Sequence, residues 1–335
     1  MPYLWAFFEK ENNMKRFFLL LAIFATGINA QAQDAGEFSI GIKAGLNFAT
    51  FAGPSERSSS DTRLESNSVI TRFLIAPTFR YGLTDKTGLI AEIQYSQKGG
   101  NYSYIGESYW IIEDVTADPL YFSGSRSVSL NVNNGYIDIP LMFYGNLNSN
   151  VNVYGGPYIG FLLNSTGAGQ MTFDAAPRDF GSNVEIDLQP FSIQLEHNYR
   201  TDPQDSLAVI YQNIRNVNSV GLSEPFGNAQ VPTETNAYHD YEEEASFLDE
   251  EGNFAKQGNF YNKFDYGLVG GIEYRFDTGL GIGLRASYGL SDITNNAYDY
   301  SKVSTVDPDN NDFTRVLRED RDRNFLLQLY IGFEL

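Results

Sequence analysis

The stretch "FDYGLVGGIEYRFDTGLGIGLRASYGL", residues 264–290, decides the fold. It reads as two alternating runs around the turn "FDTG" (276–279). One face carries Phe264, Tyr266, Leu268, Ile272, Tyr274, Phe276, Leu280, Ile282, Leu284, Tyr288 and Leu290, while the other carries glycines with Glu273, Arg275 and Arg285. Glycines weaken an ordinary strand interior, and a charge buried without a partner is costly. The pair therefore asks for lipid against its apolar face and a cramped polar interior against the other.

Working outward, eight segments alternate with period two: 38–50, 69–82, 87–98, 135–146, 150–163, 263–277, 279–291 and 324–335. Each has the ten or so residues that a tilted strand needs to cross a bilayer. The connections alternate in length. "GLTDKTG" (82–88), "GNLNSN" (145–150) and "FDTG" are short, whereas 51–68, 99–134, 164–262 and 292–323 are long. Short turns at one rim and long loops at the other are the pattern of an outer-membrane barrel. The reading is all-β: an eight-stranded antiparallel up-and-down transmembrane β-barrel with long extracellular loops and periplasmic termini. Pro77 and Pro157 fall on the proposed lipid face and Pro140 on the lumen face, each mid-strand, where bulges are expected because proline cannot donate to the ladder. Aromatics beside the short turns (Phe79, Tyr81, Phe143, Tyr144, Tyr274, Phe276) suit an interfacial girdle.

Alternation does not say which face is inside; composition does. The polar face carries Lys43, Arg72, Arg80, Glu92, Lys98, Asp138, Asp265, Glu273, Arg275, Arg285 and Glu334 among many glycines. A narrow lumen has to be filled by interdigitating side chains and needs opposite charges to pair, so these residues read as a lumen charge network. A soluble periplasmic lipocalin-like binder would put the apolar face inward instead.

The formal net charge is −19 and there is no cysteine. Such acidity leaves nothing to neutralise a phosphate backbone and excludes nucleic acid as a partner. The missing cysteine excludes disulfides, thiolate catalysis and cysteine-held zinc. Met14, Lys15 and Arg16 precede the apolar run Phe17 to Gly27, and Ala30-Gln31-Ala32 fits a cleavage site. Residues 14–32 thus read as a signal peptide, 1–13 as an upstream extension and 33–335 as the barrel. Residues 164–262 form an acidic extracellular insertion; 164–263 hold sixteen acidic and five basic side chains. Within it, 202–216 suggests a short helix.

Five blocks, "GIKAGLNFATF" (41–51), "GLIAEIQYSQKGG" (88–100), "YIDIPLMFYGN" (136–146), "VYGGPYIGFLLN" (153–164) and "KFDYGLVGGIEYRFDTGLGIGLRASYGLSDI" (263–293), resemble the PorT-type outer-membrane β-barrel family of Bacteroidetes. The resemblance implies an eight-stranded barrel in the outer membrane and, through the family's namesake, a link to an accessory role in secretion. The loop before "KFDYGL" is longer here than is usual in that family, so the family does not speak for its role.

Chemistry-bearing motifs are sparse. His197 and His239 lie in the acidic insertion, where His239-Asp240 is the nearest thing to an orienting pair for a hydrolase. "DPDNNDF" (307–313) fails the calcium-loop pattern at its sixth and twelfth positions, Asp312 and Arg318. The run Glu242, Glu243, Glu244, Asp249, Glu250 and Glu251 reads as a solvated surface able at most to contact a partner or hold cations loosely. The expectation is a non-enzymatic protein without a cofactor, embedded in outer-membrane lipid. It would act as a structural or binding component, or as an accessory subunit engaging an envelope protein through its loops. A loop-borne hydrolase or lipid-modifying enzyme is the alternative.

Overall fold

In the computed structural model the described residues are 35–114, 117–176, 190–198, 260–296 and 321–334, with short pieces between 178 and 235 and between 301 and 320. The signal peptide, residues 14–32, and the extension 1–13 lie outside them.

Eight strands close into a ring: β1 (Phe38–Ala52), β2 (Ile70–Thr84), β3 (Thr87–Glu92, resuming as Gln94–Asp114), β4 (Ala117–Asn146), β5 (Val151–Ala175), β6 (Phe264–Arg275), β7 (Leu280–Gly289) and β8 (Arg323–Glu334). Neighbours pair antiparallel in chain order, and β1 closes the ring against β8 from Gly41↔Glu334 to Ala52↔Arg323. Closure matters because an open edge in hydrocarbon would leave unsatisfied backbone groups. Phe38 and Glu334 both lie at the short-turn end.

The apolar face is the outer one. Leu284, Ile282 and Ile331 are 46, 42 and 57% exposed, while the charges opposite them are buried. A lipocalin-like inside is thereby overturned. From Leu280 to Leu290, a strand tilted about 40° rises roughly 25 Å, the height of the apolar band of such barrels. Tyr81, Phe143, Tyr274 and Phe276 stand outward at the short-turn rim, but Tyr144 turns into the lumen and is buried.

The prolines introduce no bulge. Register runs unshifted through Pro140↔Tyr158, Pro157↔Leu268 and Ile42↔Pro77. Their price is local: opposite Pro77 the strand assignment lapses at Ile93, whose N–H still donates to Pro77 O at 3.2 Å. The β4–β5 shift falls at Gly135/Tyr136.

The lumen glycines have a specific use. Tyr330 pairs with Gly283, Tyr154 with Gly271, Tyr158 with Gly267 and Tyr144 with Gly88. A Cβ built on Gly283 would lie 2.1 Å from Tyr330 Cζ. Each ring thus lies across its cross-strand glycine, which is how a narrow tube accommodates tyrosines. Gly283→Val is expected to push Tyr330 off this seat and cost about 1–3 kcal/mol, as overpacking does. The urea midpoint of the refolded barrel, with an unchanged midpoint as the contrary result, measures this.

Residues 99–134 are not a loop. β3 and β4 continue past the apolar band as one hairpin, in the same register from Ala91↔Leu141 to Ile112↔Leu120. β5 runs on to Ala175 and is joined by the strand Phe191–Asn198; Glu65–Ser68 pairs with β3. Above the barrel the alternation reverses: Val128, Leu130, Val132, Met171, Phe173, Ile193 and Leu195 are buried, and Ser125, Ser127, Ser129 and Thr172 are exposed. Water rather than lipid bathes this blade, so its polar residues face out. Gly99, at φ +124°, marks where β3 leaves the barrel in a conformation L side chains rarely adopt. Of the helix expected over 202–216, only Tyr211–Asn213 are described, and they form a strand with Gln230–Pro232.

Candidate functional site

Ten of the eleven charges assigned to the lumen network by sequence converge there. Towards the short-turn end, Lys43 Nζ lies 2.9 Å from Glu92 Oε1 and 3.3 Å from Glu273 Oε2. Arg80 pairs with Glu273 and, at 3.4 Å, with Glu334, which Arg275 also grips. Arg285 lies 2.7 Å from Glu92 Oε2 and donates to Gln328 Oε1 at 2.6 Å and to Gln94. Nearer the long-connection end, Lys98 Nζ sits between Asp138 (2.9 Å) and Asp265 (2.8 Å). Asp265 also accepts from Tyr158, Asn324 and Ser291.

Strand alternation supplies this arrangement, because every second residue of eight walls meets in one narrow space. Tyrosine rings complete it: Lys43 Nζ lies 4.6 Å from the Tyr330 ring centroid and Lys98 Nζ 4.4 Å from that of Tyr136. Tyr330 donates to Glu273 Oε2 at 2.8 Å. Five cations face five carboxylates, each ion paired. Two cavities in this packing measure about 20 and 10 Å³, room for single waters.

Arg72 is the exception. β2 pairs with β3 only up to Leu74↔Ser96, and beyond that point Arg72 reaches out to Asn131 Oδ1 at 2.6 Å on the exposed side of β4. It forms no ion pair among the described residues, so its place in the network is corrected.

The family description "Outer membrane protein beta-barrel domain" matches residues 29–295. This chain belongs to that family. It is accordingly a barrel of the bacterial outer membrane. Among curated proteins none matches the sequence. Solved structures similar to it include Ail of Yersinia pestis (11% identity, 90% of this chain and 99% of that chain covered, TM-score 0.28). OprG of Pseudomonas aeruginosa is similar at 12% identity, with 91 and 99% covered and a TM-score of 0.30. The outer membrane protease OmpT of Escherichia coli is similar at 8%, with 89 and 96% covered and a TM-score of 0.25. These likenesses are too distant to bear on activity.

The other built region of this outer-membrane barrel is its long-connection end. Trp110 meets Phe191 edge-on at 4.9 Å, and the buried Arg126 guanidinium lies 5.8 Å from the Trp110 ring and 5.9 Å from that of Phe173. Arg318 bridges Glu65 Oε2 at 3.0 Å and Asp320, and the Glu56 N–H donates to Glu65 Oε2 at 2.9 Å. Ser108 donates to Lys302 O at 2.8 Å. These contacts clip Glu56 and Glu65 from one connection, and Lys302, Arg318 and Asp320 from another, onto β3. Sequence reasoning missed them because their partners are far apart along the chain and lie in segments without periodicity.

Of the remaining sequence candidates, Glu242, Glu243, Glu244, Asp249, Glu250 and Glu251 lie outside the described residues, as does His239. His197 sits on the strand that pairs with β5, opposite Gly167.

Just before β8, burial pushes the Asp322 carboxyl up to about 6, with Asp320 and Glu65 adding to the effect and Arg318 and the Thr294 hydroxyl opposing it. Its folded value lies above the ordinary one, so the native state binds the extra proton between pH 4 and 6. This contribution is complete below about pH 4, declines as pH rises through 6 and is absent above it. Thr294 Oγ1 donates to Asp322 Oδ2, and the Ile293 N–H to Asp322 O. Amide protection at Ile293–Asn295 is therefore expected to fall between pH 4 and 7, by up to about 100-fold for a two-unit shift. Asp322→Asn should flatten that profile; an unaltered profile would refute this account.

Proposed function

We propose that this outer-membrane barrel is a non-enzymatic binding or structural component, or an accessory subunit of an envelope complex, working through its long-connection end. The observation that carries this reading is a wall that outgrows its membrane function. The lumen is filled by paired charges and tyrosines, while β3, β4 and β5 continue beyond the lipid band into a blade with a polar outer face. A plugged eight-stranded tube supports display more readily than transport. In this reading the short turns and both termini are periplasmic, and the blade and the acidic insertion are extracellular. The PorT-type resemblance makes a secretion-related complex the nearest setting.

The test is affinity purification from detergent-solubilised outer membrane of the full chain and of a variant with residues 199–259 replaced by a short linker. A companion protein retained by the full chain and lost by the variant supports the reading. A hydrolytic activity that His197→Ala or His239→Ala abolishes would replace it with an enzyme.

A further inference from the structure

The charges in the lumen are balanced as a whole but not layer by layer. The connected set nearest the short turns contains four cations, Lys43, Arg80, Arg275 and Arg285, and three carboxylates, Glu92, Glu273 and Glu334. The Lys98 set holds one cation and two carboxylates. Among the ion pairs of the described residues, the short-turn set therefore carries one positive charge in excess.

The carboxylates there are already engaged. Glu273 is held by Arg80, Lys43 and Tyr330, and Glu334 by Arg275, Arg80 and the Ser39 hydroxyl. Two polar groups are left over. Arg80 Nη1 and Thr78 Oγ1 are buried without a hydrogen-bond partner, on residues only 2 and 3% exposed. A buried guanidinium N–H left unsatisfied is costly, so an occupant is expected. Both residues line the 20 Å³ cavity together with Lys43, Glu273 and the partly exposed Arg275 and Glu334. Gly279, Gly281 and Gly332 line the same space.

We propose that this cavity binds one small monovalent anion of chloride size, held by Arg80 Nη1 and Thr78 Oγ1 against the excess positive charge. The volume, about that of one water, favours a small ion over phosphate or sulfate. Two donors and a local surplus of cation favour an anion over water, since water offers no charge to the surplus.

The full chain, refolded into micelles and crystallised in sodium bromide, is expected to show an anomalous peak within hydrogen-bond reach of Arg80 Nη1 and Thr78 Oγ1. Its urea midpoint should be higher in sodium chloride than in sodium gluconate at equal ionic strength. Thr78→Val, which removes one donor and leaves every ion pair intact, should abolish that difference. Density without anomalous signal, meaning a water, overturns the proposal. So does a bromide peak without any chloride-dependent midpoint, an adventitious ion only. If Thr78→Val does not refold, the peak and the salt difference in the natural chain decide the matter by themselves.

Discussion

Glu92→Ala is expected to cost the barrel about 3–5 kcal/mol, the range for removing one partner of a buried ion pair. Glu92 is fully buried and lies between two cations, Arg285 at 2.7 Å and Lys43 at 2.9 Å. Lys43 keeps Glu273, but Arg285 has no other carboxylate among the described residues. The cost should therefore fall on Arg285, left charged in a space with little water. Adding Arg285→Met should recover much of the loss, because replacing both ions with apolar groups is often near neutral. A double variant as unstable as the sum of the two single ones would show that the pair is not what couples them. Arg72→Ala, outside the network, should stay within about 0.5 kcal/mol. Urea unfolding of all four variants in the same micelles makes the comparison.

Leu284→Arg should be nearly as damaging, for the opposite reason. Leu284 stands about midway along the outward face of β7 and is 46% exposed, an exposure filled by lipid in the membrane. An arginine at the bilayer midplane of a barrel costs about 2–4 kcal/mol. One residue further on, Arg285 is tolerated because it points inward to Glu92. Refolding into lipid vesicles, followed by urea unfolding, should show the loss for Leu284→Arg. Equal stability of variant and natural chain would mean that this face does not meet hydrocarbon.

How much of this was legible in the sequence follows from the physics of each feature. The eight strands were, because lipid imposes a two-residue rhythm along each wall that survives in one sequence. The polar lumen was too, because glycine beside charge has no use on a wetted face. What escaped notice was the blade. In "SVSLNVN" (127–133) the rhythm persists but its phase inverts, with Val128, Leu130 and Val132 turning inward once the outside is water. A reading tuned to apolar-outward strands ends at the lipid boundary and takes the remainder for loop. Arg72 was misplaced for a related reason: its parity is lumenal, but β2 and β3 have parted at that height. Ion partners were not legible at all. Arg285 and Glu92 lie 193 residues apart, and only the closed register brings them together.

The same hairpin register that carries β3 and β4 out of the membrane has a thermodynamic consequence. From Ala117 to Gly135 the strand is roughly 60 Å long, and from Leu120 onward it is paired residue by residue with its neighbour. A contact surface mounted on such a mast has already surrendered its orientational freedom when the barrel folds. A partner meeting the tip would then pay chiefly for its own ordering, an advantage a floppy tether of equal length does not offer.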